Sequence, residues 1–389
     1  MLQRAVVIVM DSCGVGATAD AAEYGDEGSD TLGHVARAVG GLELPNLQAA
    51  GLGNLHPDTL GVPPAPQPGM AFGRMQEASA GKDSTAGHWE IAGVHTSVPH
   101  ATFTETGFPA ELVAAIEAES GHHFIGNHAA SGTQIIEELG PRHLAGGELI
   151  LYTSADSVLQ IAAHEERVPV AELYRVCKIA RHLADPYRIG RVIARPFLGK
   201  PGAFRRTYGR RDYAIPPPEP TLLDRVSEAG LAVFGVGKTE DLFVGRGLTA
   251  AVHTEGDEDG LEHTLRAMSE VKQGLVFTNL VDLDMLYGHR EDPAGYARGL
   301  ALIDQHLPAL IEATGEGGLL ILTADHGNDP TDGDTNHTRE LVPLLVSGYG
   351  AAARDLGIRS QMSDVAATIV DGFGLAPTPV GKSFWSEIA

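Results

Sequence analysis

GLLILTADHGNDPTDGDTNH, residues 318–337, sets a continuous apolar run against a polar loop that carries an aspartate and two histidines of evident chemical interest. Leu319 to Thr323 are apolar or β-branched at every position, the pattern of a strand covered on both faces. Asp325 and His326 then fall at the strand's carboxyl end, where α/β folds place their ligands, and His337 follows across the loop. A carboxylate beside an imidazole suits zinc or manganese better than calcium or magnesium. The plainer reading is a polar strand end followed by a turn, because Asp, Gly and Asn are ordinary turn residues.

Two further segments end in the same way and weigh against the plainer reading. Arg4 to Met10 (RAVVIVM) stops at Asp11 and Ser12 and then turns through Gly14 and Gly16. Gly274 to Val281 (GLVFTNLV) stops at Asp282 and Asp284, with His289 five residues after the second. If the three strands are neighbours, their ends supply enough carboxylates and imidazoles for two metal ions. Two metals about 3.5–4 Å apart suit displacement at phosphorus, which also needs a nucleophile. GKDSTAGHWEIAG, residues 81–93, offers Ser84 and Thr85 ahead of a helix expected to start near Ala86. Ser84 at the N-cap would stand at the positive helix end, with free backbone N–H groups for a phosphate. An ordinary Ser or Asp N-cap is the bland alternative.

These segments resemble those of the alkaline phosphatase superfamily, and within it the phosphopentomutase family. The likeness spans nearly the whole chain and rests on MDSCGVGATADAAEYGDEGSDTLGH at 10–34, GKDSTAGHWEIAG at 81–93, YTSADSVLQIAAHEE at 152–166, NLVDLDMLYGHR at 279–290 and TADHGNDPT at 323–331. It implies metal ligands at Asp11, Asp284, His289, Asp325, His326 and His337. It also implies a phosphorylated nucleophile, normally a threonine directly after the Lys-Asp pair. Here that position is Ser84, with Thr85 next in line as the alternative.

The composition is that of a soluble globular protein: 389 residues, 43% hydrophobic, enough for two or three domains. The apolar runs are strand-sized, well short of the ~20 residues that cross a bilayer. Residues 1–10 lack a signal-peptide cleavage pattern and read as the first strand. Cys13 and Cys177 make no disulfide framework, which fits a reducing cytoplasm. A net charge of −23 argues against nucleic acid as a partner, so phosphate must be held by metals and a few placed arginines. No membrane association and no obligate protein partner are implied.

Composition shifts near Thr96 to His100 and at the stiff link Ala214 to Pro220 (AIPPPEP) bracket an insertion, 98–216, between two core segments, 1–97 and 217–389. Inside it, helices over Pro109–Ser120, Gly132–Leu139 and Val170–Leu183 and a strand over Leu149–Thr153 suggest a small α/β cap domain. After Pro220, helices over Leu222–Glu228, Leu261–Val271 and Ala294–Leu310 alternate with strands over Leu231–Val236, Leu275–Val281 and Leu319–Thr323. That alternation predicts an α/β core with a largely parallel sheet flanked by helices, as the alkaline-phosphatase-like resemblance also implies.

Within the insertion lie Ser154, Asp156, Arg191 and Arg195 and the cluster Arg205, Arg206, Arg210 and Arg211. Arginine's planar fork grips phosphate with paired hydrogen bonds, although a solvated charged face explains the cluster equally well. Lys238, in FGVGKTED, superficially matches a nucleotide-binding loop, but the glycine spacing fails. The resemblance implies instead that Arg191 and Lys238 hold the distal phosphate of a sugar and that Asp156 with Ser154 contacts its hydroxyls; of the clustered arginines, Arg206 and Arg210 are further candidates for substrate binding. His88 reads as a contact of the nucleophile loop or as a packed histidine. His34, His122, His123 and His128 read as structural, and Trp89 and Glu90 have no assigned role.

The function expected is interconversion of ribose 1-phosphate and ribose 5-phosphate, and of the deoxy pair, through a phosphoenzyme and a 1,5-bisphosphate. The resemblance implies two divalent metals, manganese first, and priming by a sugar bisphosphate such as glucose 1,6-bisphosphate. A mutase must keep water from its phosphoenzyme, the physical reason for a hinged cap. The alternatives are a cofactor-independent phosphoglycerate mutase, a metal-dependent phosphatase, and a metal or sugar-phosphate binding protein without turnover.

Overall fold

An unbroken stretch of aliphatic and β-branched residues makes Arg4–Met10 a strand, and burial on both faces makes it a central one. The computed structural model describes residues 1–56, 59–154, 157–350 and 353–388. Its strands are, in chain order, β1 (Arg4–Met10), β2 (Ala71–Met75), β3 (Phe124–Ala129), β4 (Leu149–Thr153), β5 (Val158–His164), β6 (Arg191–Leu198) and β7 (Arg205–Arg206). There follow β8 (Arg211–Ala214), β9 (Ala232–Val236), β10 (Ala250–Val252), β11 (Gly274–Leu280), β12 (Gly318–Thr323), β13 (Val342–Gly348) and β14 (Asp355–Arg359). They divide between two compact units, Met1–Val98 with Pro217–Ala389, and Pro99–Pro216.

The first unit is built on one sheet in the order β10-β9-β11-β1-β12-β13-β2-β14. Every pairing in it is parallel except the two made by β13. Strand β1 lies in register between β11 and β12, with Met10 opposite Leu280 and Val9 opposite Thr323. The three motif-bearing loops therefore leave the same end of the sheet side by side. Val276, Val6 and Leu320 form one cross-strand row with no exposed surface, and burying each such side chain stabilises the fold by about 1.5–3 kcal/mol. At the opposite end the Arg4 guanidinium donates to the carbonyls of Met268, Val271, Ala313 and Thr314 at 2.5–3.2 Å. It thereby ties the last turns of two flanking helices to β1, a favourable place for a cation.

Several helices outrun their apolar periodicity. The helix expected from Leu261 starts at Asp257, because three acids in its first turn face the positive end of the helix dipole. The helices expected to end at Leu139 and Leu310 continue to Gly146 and Thr314, with Pro141 and Pro308 inside them. The apolar faces on either side of each proline hold the helix together despite the missing N–H.

In the second unit a mixed sheet, β3-β4-β5-β6-β7 with β8 paired to β6, carries helices on both faces. Side-chain alternation sorts them. Leu149, Leu151, Leu159 and Ile161 pack with helices Ala110–Ser120 and Val170–Ala184, whereas Ile150 and Tyr152 face helix Gly132–Gly146. Cys13 and Cys177 are free and buried. Among the described residues no helix is long and apolar enough to cross a membrane.

Candidate active site

At the end of β1, Asp11 receives a 2.9 Å hydrogen bond from Asn279 Nδ2 on β11. The chain then reverses at Ser12, whose φ of 74° is left-handed and costly for a residue with a β-carbon. Two bonds hold that turn: Ser12 N–H donates to Asp325 Oδ1 at 3.1 Å, and the Tyr296 hydroxyl donates to the Ser12 carbonyl at 3.0 Å. Beyond β11, Asp284 sits in the helical turn Leu283–Tyr287 and accepts from Asn328 Nδ2 at 2.9 Å. The ends of three adjacent strands thus present three carboxylates, each held by a hydrogen bond from another of these three segments.

The three histidines share one arrangement. Nδ1 of His326, His289 and His337 lies 3.0, 2.6 and 3.0 Å from the carbonyls of Gly327, Thr335 and Lys82. A proton on each Nδ1 leaves the Nε2 lone pair free, the tautomer that metal-binding histidines use. Those Nε2 atoms all face the carboxylates. His326 Nε2 is 3.4 Å from Asp11 and 3.3 Å from Asp325, and His289 and His337 Nε2 are 3.2 and 3.3 Å from Asp284. Donor atoms of Asp11, Asp325 and His326 lie within 4.8 Å of one another, as do those of Asp284, His326 and His337. His289 joins the second group, its Nε2 3.3 Å from that of His337. The structure therefore brings together all six residues that the sequence singles out as metal ligands.

The electrostatics leave a cation's place open. Burial, with Asp325 and Asp284 alongside, pushes the Asp11 carboxyl up to about 8, and Asp11 Oδ1 is buried without a hydrogen-bond donor. Burial drives His326 down to about 4. Burial also opposes charge on His337, but the Asp284 carboxylate outweighs it and raises that imidazole to about 9. Asp284 is thus paired with a charged His337, while Asp11 lacks a balancing cation and His326 is held neutral; such a donor set fits a divalent cation, which would take the place of the His337 proton.

Ser84 Oγ is 3.0 Å from His326 Nε2, at the edge of this cluster. The N-cap of its helix, Ser84–Ile91, is Asp83 and not Ser84 as the sequence suggests. The Asp83 carboxylate accepts from the Thr85 and Ala86 amides at 3.1 and 3.2 Å, so those N–H groups are not free for a phosphate. An aspartate one position upstream reaches both amides, and this releases the serine hydroxyl to face the carboxylate–histidine cluster. His88, one turn on, is fully buried, with Nδ1 2.8 Å from the Ser84 carbonyl and 3.0 Å from Asp325 Oδ2. Gly87 lets this helix touch the ligand strand: a β-carbon there would stand 2.4 Å from the Asp325 carbonyl oxygen. Gly87→Ala is expected to lower kcat by on the order of 100-fold, the cost of a shift of about 1 Å between reacting groups, together with a weaker metal affinity by titration calorimetry. An unchanged kcat would mean that this contact positions nothing.

The residues assigned to substrate are placed less tightly. Lys238 follows β9 at the sheet's carboxyl end, close enough for its charge to act on Asp11. In the second unit Arg191 opens β6 with Asp212 Oδ2 at 3.9 Å, and Arg210 engages both oxygens of Asp212 at 2.8 and 2.7 Å. Arg206 is exposed, with Thr133 Oγ1 at 3.5 Å. Ser154 directly follows β4, and Asp156 lies outside the described residues. His34, read as structural, pairs with Asp329. Asn279 and Asn328, which hold the ligand carboxylates, were not singled out by sequence. Their one signal is position, Asn279 five residues before Asp284 and Asn328 two after His326.

The family profile of the metalloenzyme superfamily matches residues 3–377. The phosphopentomutase of Anaeromyxobacter dehalogenans (strain 2CP-C) is 53% identical over 387 residues, 99% of this chain and 98% of that protein. That of Caldanaerobacter subterraneus subsp. tengcongensis is 51% identical over 390 residues, 100% of this chain and 98% of the relative. A crystal structure of Leishmania mexicana phosphoglycerate mutase aligns with a TM-score of 0.53 at 16% identity, covering 98% of this chain and 97% of that one, a likeness of fold alone. Full-length identity above one half, on a core whose strand ends gather carboxylates and imidazoles, makes this chain a member of the phosphopentomutase family of the metalloenzyme superfamily, an isomerase that transfers phosphoryl groups.

Proposed function

We propose that the protein interconverts (deoxy)ribose 1-phosphate and (deoxy)ribose 5-phosphate through phosphorylated Ser84 and a 1,5-bisphosphate. The observation that carries this reading is Ser84 Oγ at 3.0 Å from His326 Nε2, the imidazole shared by both ligand groups. Asp11, Asp325 and His326 would hold one divalent ion and Asp284, His289 and His337 a second, with manganese as the first candidate. Bound metal supplies charge neutralisation for the oxygens of the phosphoryl group in transfer.

In the forward direction the free sugar hydroxyl attacks phosphorus on Ser84. The P–Oγ bond breaks, the hydroxyl proton passes to Oγ, and a sugar 1,5-bisphosphate results. Ser84 Oγ then attacks the other phosphate, that P–O bond breaks, and the sugar leaves with its remaining phosphate. The protein starts each cycle phosphorylated, so a sugar bisphosphate must prime it. Lys238 in the first unit is assigned to phosphate binding. Ser154, Arg191, Arg206 and Arg210 are the second unit's own candidates for holding a phosphorylated sugar, together with Asp156.

Manganese-loaded protein primed with a trace of glucose 1,6-bisphosphate and given ribose 1-phosphate is expected to form ribose 5-phosphate with little free phosphate. Free phosphate as the main product would make it a phosphatase on the same core. Neither product would reject the proposed substrate.

A further inference from the structure

The segment Glu77–Asp83, between the end of β2 and the helix that begins at Ser84, belongs to no sheet or helix, yet much of it is buried. Its backbone groups must find partners elsewhere, and two side chains supply most of them. On one side the Arg339 guanidinium donates to the alternate carbonyls of Glu77, Ser79 and Gly81 at 2.7, 2.8 and 2.6 Å. On the other side Glu90, fully buried and six residues after Ser84 on the same helix, accepts from the amides of Ala78 at 2.9 Å and Ser79 at 2.6 Å. Its Oε1 also accepts from the Met362 amide at 2.9 Å.

Both ends of this arrangement are themselves anchored. Arg339 is 3% exposed, pairs with Glu77 Oε2 at 2.8 Å and Asp20 Oδ2 at 3.0 Å, and lies over the Tyr24 ring. Its own amide donates to Asp26, whose carboxylate receives Lys82 Nζ at 2.8 Å. Two residues before it, His337 Nδ1 lies 3.0 Å from the Lys82 carbonyl. One guanidinium thus joins the loop that carries a ligand histidine to the loop that delivers Ser84.

We propose that Arg339 and Glu90 are positioning residues, a two-sided splint that fixes the nucleophile loop against the ligand cluster and sets the rate of phosphoryl transfer without touching substrate. The proposal rests on Ser84 as the nucleophile. Lysine at 339 keeps the charge but reaches one carbonyl where the planar fork reaches three. Glutamine at 90 keeps the shape but turns an N–H toward amides that need an acceptor.

The test uses the full-length manganese-loaded protein and the variants Arg339→Lys and Glu90→Gln, with ribose 1-phosphate as substrate. Each variant is expected to lose on the order of 100-fold in kcat, with KM within about 3-fold of the parent, unchanged manganese stoichiometry and equally slowed phosphorylation by glucose 1,6-bisphosphate. Amide hydrogen exchange, which needs no turnover, should be faster by about 10-fold or more in peptides covering 77–84 and unchanged elsewhere in the ligand loops. A variant that melts lower but keeps parental kcat and exchange would reduce the pair to structural residues and overturn the proposal, as would a loss confined to KM or manganese. If the parent itself forms no phosphoenzyme, the functional reading fails and the exchange result still decides the splint.

Discussion

Ser84→Ala is expected to abolish the phosphoenzyme and to reduce turnover by roughly 10⁴-fold or more, the scale on which removal of a nucleophile acts, while manganese content stays at the parental value. The hydroxyl is placed for this role by three local facts. Asp83 takes the capping position and its amides, the helix starts at Ser84 itself, and Oγ is left 3.0 Å from His326 Nε2. Thr85, one residue on, spends its amide on Asp83 and points along the next helical position, 100° around the axis. Thr85→Ala should therefore change kcat by no more than a few-fold. Ser84→Thr, which restores the hydroxyl that the family resemblance implies, should keep most of the activity. Intact-mass measurement after priming, beside steady-state rates, separates these outcomes. A phosphorylated Ser84→Ala protein would transfer the role to Thr85.

The difference between Ser84 and Asp83 shows where the sequence was legible and where it was not. Aspartate and serine rank almost equally as N-caps, so the string Lys82-Asp83-Ser84-Thr85 does not by itself say which residue caps the helix. In the structure the Asp83 carboxylate takes the Thr85 and Ala86 amides, and in that register Gly87 lies against Asp325. The convergence of Asp11, Asp284 and Asp325, expected as metal ligands, was readable because each closely follows a run too apolar to be anything but a buried strand, and the parallel register brings the ends of those runs together. β13 was not readable: Pro343 argues against a central strand, yet it lies between β12 and β2. Asn279, Asn328, Glu90 and Arg339 were opaque for a different reason. They act on the carboxylates and backbone of other segments, and apart from the nearness of the two asparagines to site residues, nothing in the local sequence pattern marks these contacts.

Asp11→Asn is expected to stop turnover and, in the same protein, to raise the melting temperature of the metal-free form by a few degrees. The two effects have one cause. Asp11 is 1% exposed, carries an oxygen with no hydrogen-bond donor, and lies close to Asp325 and Asp284, so without a cation folding must bury its charge or bind a proton to suppress it, and either costs stability at neutral pH. An amide of the same shape removes that charge. Asn279 Nδ2 can still donate to the remaining side-chain oxygen. The buried cluster is therefore kept for chemistry at a cost in stability, as strained or frustrated sites commonly are. Added manganese should reverse the order. A ligand at 100 times its dissociation constant stabilises the native state by about 2.7 kcal/mol, and the parent gains this at a group that the variant has lost. The variant keeps Asp284, His289 and His337 and so gains less. Melting curves of both proteins in chelator and in manganese give four temperatures, and crossing of the two pairs is the expected signature. Parallel shifts would show that Asp11 is not a ligand. A metal-free variant less stable than the parent would show that the cluster is satisfied by protein alone.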